Sequence, residues 1–462
     1  MPEAAAKSSQ PGLIRDLSVQ HAGAIVVGVI IGSGIFLVPT RMMAATGSSK
    51  VVFLVWIVGG ILSWFGAVTY AELGAMKPDA GGEYVYIRDA YGPMLGFLNA
   101  WSWFTISKPA SIATVAAGMV RILGEFGAFS FLKTTLISGR IPLNWGHILA
   151  AVAIVFLSWV NYIGVRRAGN FQLFFTSLKV VMICGIIVAC FMAKGGTLAN
   201  FSSHHPGAVG GMAGFMAALI AALWAYDGWN NLNMVAGEVR NPQKNIPLAM
   251  IVGIALVAAL YMLMNAAVQY VLPATTLASA ERPASLAFQY AVGAAGAAIL
   301  SAGIALSMFA SINGQILTGA RIPFAAARDG YFFPSIARVN AKYHTPGGAL
   351  AFQAFMSIAL LVLGGAFEDL FNLAILSEWV FYMITASTIF VFRRQINAAT
   401  LSYRAWGYPV VPALFIVAAT VVCYFSFVQN KADSIGGTIV ILAGIPVFLW
   451  FARKKKQLAL NN

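Results

Sequence analysis

Apolar runs of about 20 residues, separated by short polar joints, follow one another along nearly the whole chain. About 20 residues of α-helix cross a hydrocarbon core of roughly 30 Å, so each run predicts a membrane-spanning helix. Twelve such spans are read, centred near Gly32, Leu62, Ala110, Val155, Val181, Ala225, Leu260, Ala305, Ile358, Phe381, Ala418 and Leu442. No soluble domain is left over. The first run follows a polar tail with Lys7, Ser8, Ser9 and Arg15, but it is long and lacks a cleavage site after it. It reads as a retained helix and not a signal peptide.

Two of these runs are interrupted. Gly28-Val-Ile-Ile-Gly-Ser-Gly-Ile-Phe36 puts three glycines and a serine inside the first. Glycine weakens a helix, and lipid offers no partner to released backbone groups, so such a break belongs where protein or a polar ligand takes them over. The sixth run carries Leu223-Trp-Ala-Tyr-Asp-Gly-Trp-Asn-Asn-Leu-Asn233, with Asp227-Gly228 in mid-run. The breaks lie five spans apart, so a second copy of a five-helix unit would enter the membrane from the opposite side. Interrupted helices in corresponding positions of an inverted repeat point to a secondary transporter with its site near the midplane. The predicted organisation is a tail over 1–18, one five-helix repeat over 19–195, a second over 205–395, two further helices over 405–452 and a tail over 453–462. In the third span, Pro109 should kink the helix, and Lys108 beside it can meet the carbonyls that a proline frees.

Composition agrees: 60% of residues are apolar and 10% charged, and the mean hydropathy is +0.80, outside the range of soluble domains. The formal charge of +14 would suit nucleic acid, but its distribution argues otherwise. Arg166, Arg167, Arg240, Arg321, Arg328, Arg393, Arg394 and the Arg453-Lys-Lys-Lys456 run share the side of the N-terminus, together with Lys7, Arg15, Lys77 and Arg88. The opposite side has fewer, among them Arg41, Lys50, Arg121, Lys133 and Arg282. Cytoplasmic loops carry the excess of Lys and Arg, which places both termini in the cytoplasm and requires an even number of spans. The charge is thus an orientation signal, and no nucleic-acid partner is expected. Cys184, Cys190 and Cys423 fall inside spans and read as packing residues. His204-His205 has no third ligand spaced to join it, so no metal is expected. No nucleophile, phosphate-loop or zinc motif is present, which argues against an enzyme. No continuous polar stripe marks a passive channel.

Four ionisable side chains lie within spans: Lys108, Lys179, Asp227 and Glu378. Each costs a few kcal/mol if it faces lipid, so each should face the interior or water. Glu378 belongs to no motif and is read as a structural pairing group, with Lys108 as a candidate partner.

Taken with Pro78-Asp-Ala-Gly-Gly-Glu-Tyr84, Lys108-Pro109, Glu238-Val-Arg-Asn-Pro-Gln-Lys-Asn-Ile-Pro247 and Arg328-Asp-Gly330, the two broken runs carry a resemblance. Over essentially its full length the chain resembles the amino acid/polyamine/organocation (APC) transporters, and within them the L-amino-acid transporter (LAT) branch. The resemblance implies an all-α membrane protein with twelve transmembrane helices in a LeuT-like 5+5 inverted repeat, helices 1 and 6 being interrupted. It also implies movement of amino acids by alternating access, as sodium-independent exchange of neutral L-amino acids, with cationic ones open. Proton-coupled symport is the alternative, since the same lysine, Lys179, could titrate; a passive channel ranks lower. No cofactor is implied.

An amino acid zwitterion needs donors for a carboxylate and acceptors for an ammonium, and the start of a half-helix supplies the former. Motif matching assigns Ser33, Gly34 and Ile35 to the carboxylate, and the carbonyls of Ile30, Trp224 and Asp227 to the amine, with Ala225 among the substrate positions. Trp224 matches an aromatic that covers the substrate from outside, and Lys179 matches a lysine standing where sodium-coupled relatives hold a cation. Each has a blander reading: small-residue packing for Gly28 and Gly32, interface packing for Trp224, a structural or snorkelling role for Lys179, and a helix cap for Asp227. Asp227 also stands in a run shared with an animal relative that takes neutral and cationic amino acids. Animal members of the branch pair with a glycoprotein through a cysteine between helices 3 and 4. Residues 121–143 here contain none, so no disulfide-linked heavy chain is expected, leaving a monomer or non-covalent oligomer in the cytoplasmic membrane.

Overall fold

The computed structural model describes residues 12–137, 143–363, 367–396, 401–429 and 431–460. It is almost entirely helical. The first span is split into α1 (Val19–Ile30) and α2 (Gly34–Thr46), followed by α3 (Ser49–Met76), the short α4 (Glu83–Tyr91), α5 (Pro93–Ser102) and α6 (Lys108–Leu123). Next come α7 (Trp145–Tyr162), α8 (Val165–Phe191), α9 (Gly211–Ala225), the single turn α10 (Asn231–Met234) and α11 (Pro242–Val271). The remainder is α12 (Ala274–Ser279), α13 (Pro283–Val292), α14 (Ala294–Gly319), α15 (Arg321–Arg328), α16 (Gly347–Leu363), α17 (Phe367–Gln395), α18 (Val410–Gln429) and α19 (Lys431–Leu460).

Among the described residues, nine helical segments are long and apolar enough to cross a membrane. Gly211–Ala225 and Gly347–Leu363 are apolar but shorter, and α17 runs for 29 residues. The sixth apolar run, read from sequence as one span, stops short because the chain leaves the helix at Tyr226 and Gly228 adopts φ 113°, a conformation open to glycine and strained for other residues. Two departures from the sequence reading are local. Strands β1 (Thr135–Ile137) and β2 (Leu143–Asn144) pair antiparallel in an otherwise helical chain, and α19 carries residues 453–460, read as a tail, on as helix.

Local signals place the key helices. Ser18 caps α1 by accepting the His21 N–H, while the His21 ring accepts from the Ser18 N–H, a reciprocal capping box. Before Pro109, residues Trp103–Ser107 form a π-helical turn, the bulge that often accompanies functional sites. Here the sequence expectation for Lys108 needs correction: its ammonium does not meet carbonyls of its own kinked helix but reaches Asn231 on α10.

Helices five spans apart pack on one another: α3 on α11, α6 on α14 and α7 on α16, while α2 packs on α9. α1 lies at the centre, against α8, α11 and α14. Lipid-exposed positions are apolar, as at Val181 on α8, which is 67% exposed. The first and last described segments, near Leu17 and Lys455, lie at one end of the bundle. Leu17 pairs with Val239, and Glu238 beside it forms a fully buried bidentate pair with Arg321 at 2.7 and 3.1 Å. Asp329, at the end of α15, receives Tyr84 and Arg88 of α4, and its carbonyl accepts from Lys455.

Candidate functional site

The site begins where α1 ends. The Ile31 N–H still bonds to the Val27 carbonyl at 2.9 Å, but Gly32 turns back on Ile30 at 2.8 Å and regular helix resumes only at Gly34. Ser33 makes no side-chain cap. The N–H groups of Ser33, Gly34 and Ile35, all buried, have no hydrogen-bond partner among the described residues. The first N–H groups of any helix lack an intrahelical partner, yet most helix starts meet water or a cap, and a buried one needs a polar group in their place.

The second break lies against the first. A methyl group at Gly34 would stand 3.0 Å from the Ala225 Cβ, with the Trp224 ring 3.5 Å away, and one at Gly228 would stand 2.8 Å from Val29. The Tyr261 hydroxyl, on α11, is 3.0 Å from both the Ile30 and the Ala225 carbonyl oxygens and so ties the two broken helices together. Around Gly32, by contrast, a methyl group would meet nothing within 4 Å. Gly28 belongs to packing, since a methyl there would fall 2.1 Å from the Thr176 hydroxyl of α8.

Lys179 of α8 is buried and places its ammonium 2.8 Å from each of three acceptors: the Gly28 carbonyl, the Ile31 carbonyl and the Ser311 hydroxyl of α14. An ammonium has three donors, so all are used. Ser307, one turn from Ser311, also donates to the Ile31 carbonyl at 3.3 Å. The end of α1 is thereby fixed to α8 and α14 through the carbonyls that the break leaves outside regular helix.

The Asp227 carboxylate accepts from the Tyr382 hydroxyl of α17 at 2.7 Å, and its own N–H goes to the Trp224 carbonyl at 3.1 Å. Lys108 joins Asn231 and lies 4.9 Å from the Trp103 ring centroid. Asn231 also donates to the Gly228 carbonyl at 3.0 Å and accepts from Thr318 at 2.8 Å. Its neighbour Asn230 donates at 2.7 Å to Glu83 of α4, which further accepts from Trp103 at 3.0 Å and Asn99 at 3.4 Å. Glu83 lies outside the spans, and burial pushes its carboxyl up to about 7 while the Asn230, Trp103 and Asn99 donors oppose the rise. Glu378, read as a partner for Lys108, forms no hydrogen bond or ion pair among the described residues. It faces the charges of Asp227, Lys108 and Glu83.

Ile30, Ser33, Gly34, Ile35, Trp224, Ala225 and Asp227 therefore gather at the meeting of the two breaks, with Lys179 behind the first. Sequence reasoning missed Tyr261, Ser311, Tyr382 and Glu83 as contacts of the site. Tyr261 and Ser311 stand singly in apolar runs with no local pattern to mark them; Glu83 sat in a motif whose partners Asn99, Trp103 and Asn230 only the fold brings near.

Compared with known proteins, residues 17–452 match the amino acid permease family. The serine/threonine exchanger SteT of Bacillus subtilis (strain 168) is 31% identical over 96% of this chain and 98% of its own. The b(0,+)-type amino acid transporter 1 of Homo sapiens is 33% identical over 85% of this chain and 77% of its own. The large neutral amino acids transporter small subunit 2 of Homo sapiens is 31% identical over 97% and 82%.

Proposed function

The chain belongs to the amino acid permease family, and from that premise we propose that it exchanges L-amino acids across the cytoplasmic membrane by alternating access, without sodium. The observation that carries this reading is the trio of buried, unpartnered N–H groups at Ser33, Gly34 and Ile35, facing the end of a second broken helix. They receive the substrate carboxylate at the positive end of the α2 dipole. The Ile30, Trp224 and Asp227 carbonyls receive the ammonium, at Ile30 in place of the Gly32 N–H or the Tyr261 hydroxyl that the oxygen now accepts; Ala225 lines the same crossing, and Trp224 covers it from the outer side. Neutral side chains are the main cargo, in keeping with what the names of the relatives specify, and Asp227 admits cationic ones.

Lys179 takes the place of a coupling cation. Three acceptors around one ammonium resemble the coordination of a bound ion, and the fixed charge removes the need for sodium. The pairing of α3 with α11, α6 with α14 and α7 with α16 supports two inverted repeats over 19–195 and 205–395. With the two helices that follow, the reading has twelve spans, and the Lys and Arg distribution puts both termini in the cytoplasm. Because residues 121–143 contain no cysteine, the chain works without a disulfide-linked subunit.

Uptake of labelled amino acids into proteoliposomes tests the reading. Uptake should require amino acid inside the vesicle and be the same in sodium and choline. Uptake into empty vesicles driven by a pH gradient would replace exchange with proton symport.

A further inference from the structure

A cavity of about 440 Å³ opens between the end of α6, the start of α13, α14 and α2. Two arginines and two glutamates line it, Arg121, Glu125, Glu281 and Arg282, so its formal charge is zero. Their pairing is incomplete. Arg282 joins Glu125, whereas Arg121 and Glu281 have no ion pair among the described residues. The Ser285 hydroxyl, 7% exposed as a residue, lines the same cavity without a hydrogen-bond partner. An unpaired guanidinium, an unpaired carboxylate and a buried free hydroxyl complement a molecule that carries one charge of each sign and can hydrogen-bond besides. The volume lies in the range of small-molecule sites.

The cavity also leads to the site. Phe36 of α2 lines it, two residues and about 3 Å of helix rise from Gly34. Ser301 of α14 lines it as well, on the helix whose Ser307 and Ser311 hold the Ile31 carbonyl. Both walls of the cavity thus run down to the break in α1. The loop before α13 is anchored to α2 by the Thr40 hydroxyl, which donates to the Ala280 carbonyl at 2.7 Å.

We propose that this cavity is a holding subsite for free amino acid zwitterions on the outer face, where Arg121 takes the carboxylate and Glu281 the ammonium before the substrate moves to the broken helices. The proposal rests on the transport reading above. It assigns the subsite to the α-amino and α-carboxyl groups common to all amino acids and to neither their side chains nor simple anions. Its effect is on capture from one face and not on the exchange step.

Exchange kinetics measured from each face, in right-side-out and inside-out vesicles, test it with Arg121→Gln/Glu281→Gln. Both side chains face solvent, so the variant should fold as the unmodified protein does. The expected result is an outer KM raised about tenfold with the inner KM and the maximal rate unchanged. Added salt should raise the outer KM of the unmodified protein and leave that of the variant alone, because screening weakens exposed charges. An outer KM that does not move, or equal changes from both faces, would overturn the subsite while leaving transport intact. No exchange of any amino acid by the unmodified protein would instead refute the transport reading, and the subsite with it.

Discussion

Lys179 saturates its three donors on two carbonyls and one hydroxyl at 2.8 Å, and its removal leaves the Gly28 and Ile31 carbonyls to serine hydroxyls alone. A hydrogen bond to a charged group contributes about 1.5–3 kcal/mol, so Lys179→Ala should slow exchange roughly ten- to a hundredfold and leave it independent of sodium. Exchange at the unmodified rate would make the lysine merely structural. Asp227→Asn should weaken arginine binding by a similar factor while alanine binding stays within about twofold; parallel loss of both would assign the carboxylate to holding the break through Tyr382. At Glu83 the relevant variable is pH. Burial raises its carboxyl from the usual 4.5 to about 7, so the fold favours the neutral form. That contribution is complete below the ordinary value and is lost as the pH rises through about 7. The melting temperature of the purified protein should fall between about pH 5 and pH 8, and Glu83→Gln should flatten that slope. An unchanged slope would show that Glu83 does not titrate in this window.

The broken helices were legible as elements because Gly28–Phe36 and Asp227-Gly228 contradict an otherwise unbroken apolar pattern. What the break does at each glycine was not legible, since that depends on which neighbour approaches. Gly34 meets Ala225, whereas Gly32 has nothing within 4 Å of its Cβ position. The two should separate on substitution. Gly34→Val crowds α9 and should lower both thermal stability and exchange, and Ala225→Gly should restore a Gly34→Ala variant in part. Gly32→Val should leave the melting temperature unchanged and abolish binding; a Gly32→Val protein that binds normally would place the ligand elsewhere. The π-helical turn before Pro109 and the reach of Lys108 to Asn231 were equally hidden. A proline predicts released carbonyls, but which side chain answers them is a tertiary matter.

At the scale of the molecule, the five-span offset between the breaks was readable from sequence, and its counterpart in space is the packing of α3 on α11, α6 on α14 and α7 on α16. The lengths of the individual helices were less so, because α9 ends at Ala225 and α10 is a single turn. These short pieces bring one end of each break to the same point, where Tyr261 bridges the Ile30 and Ala225 carbonyls. On the proposed reading, alternating access amounts to movement around a fixed crossing whose polar groups are backbone, which suits a cargo recognised by its own backbone-like ends. Competition between a transported amino acid and its own carboxamide tests most directly whether the Ser33, Gly34 and Ile35 N–H groups receive a carboxylate. At about pH 6, where the α-amino group is protonated in both, the side chain and ammonium are the same and only the charged acceptor is lost. The free acid should displace labelled substrate about a hundredfold better than the amide, the equivalent of one or two charge-assisted bonds; equal displacement by the amide would contradict the carboxylate cradle.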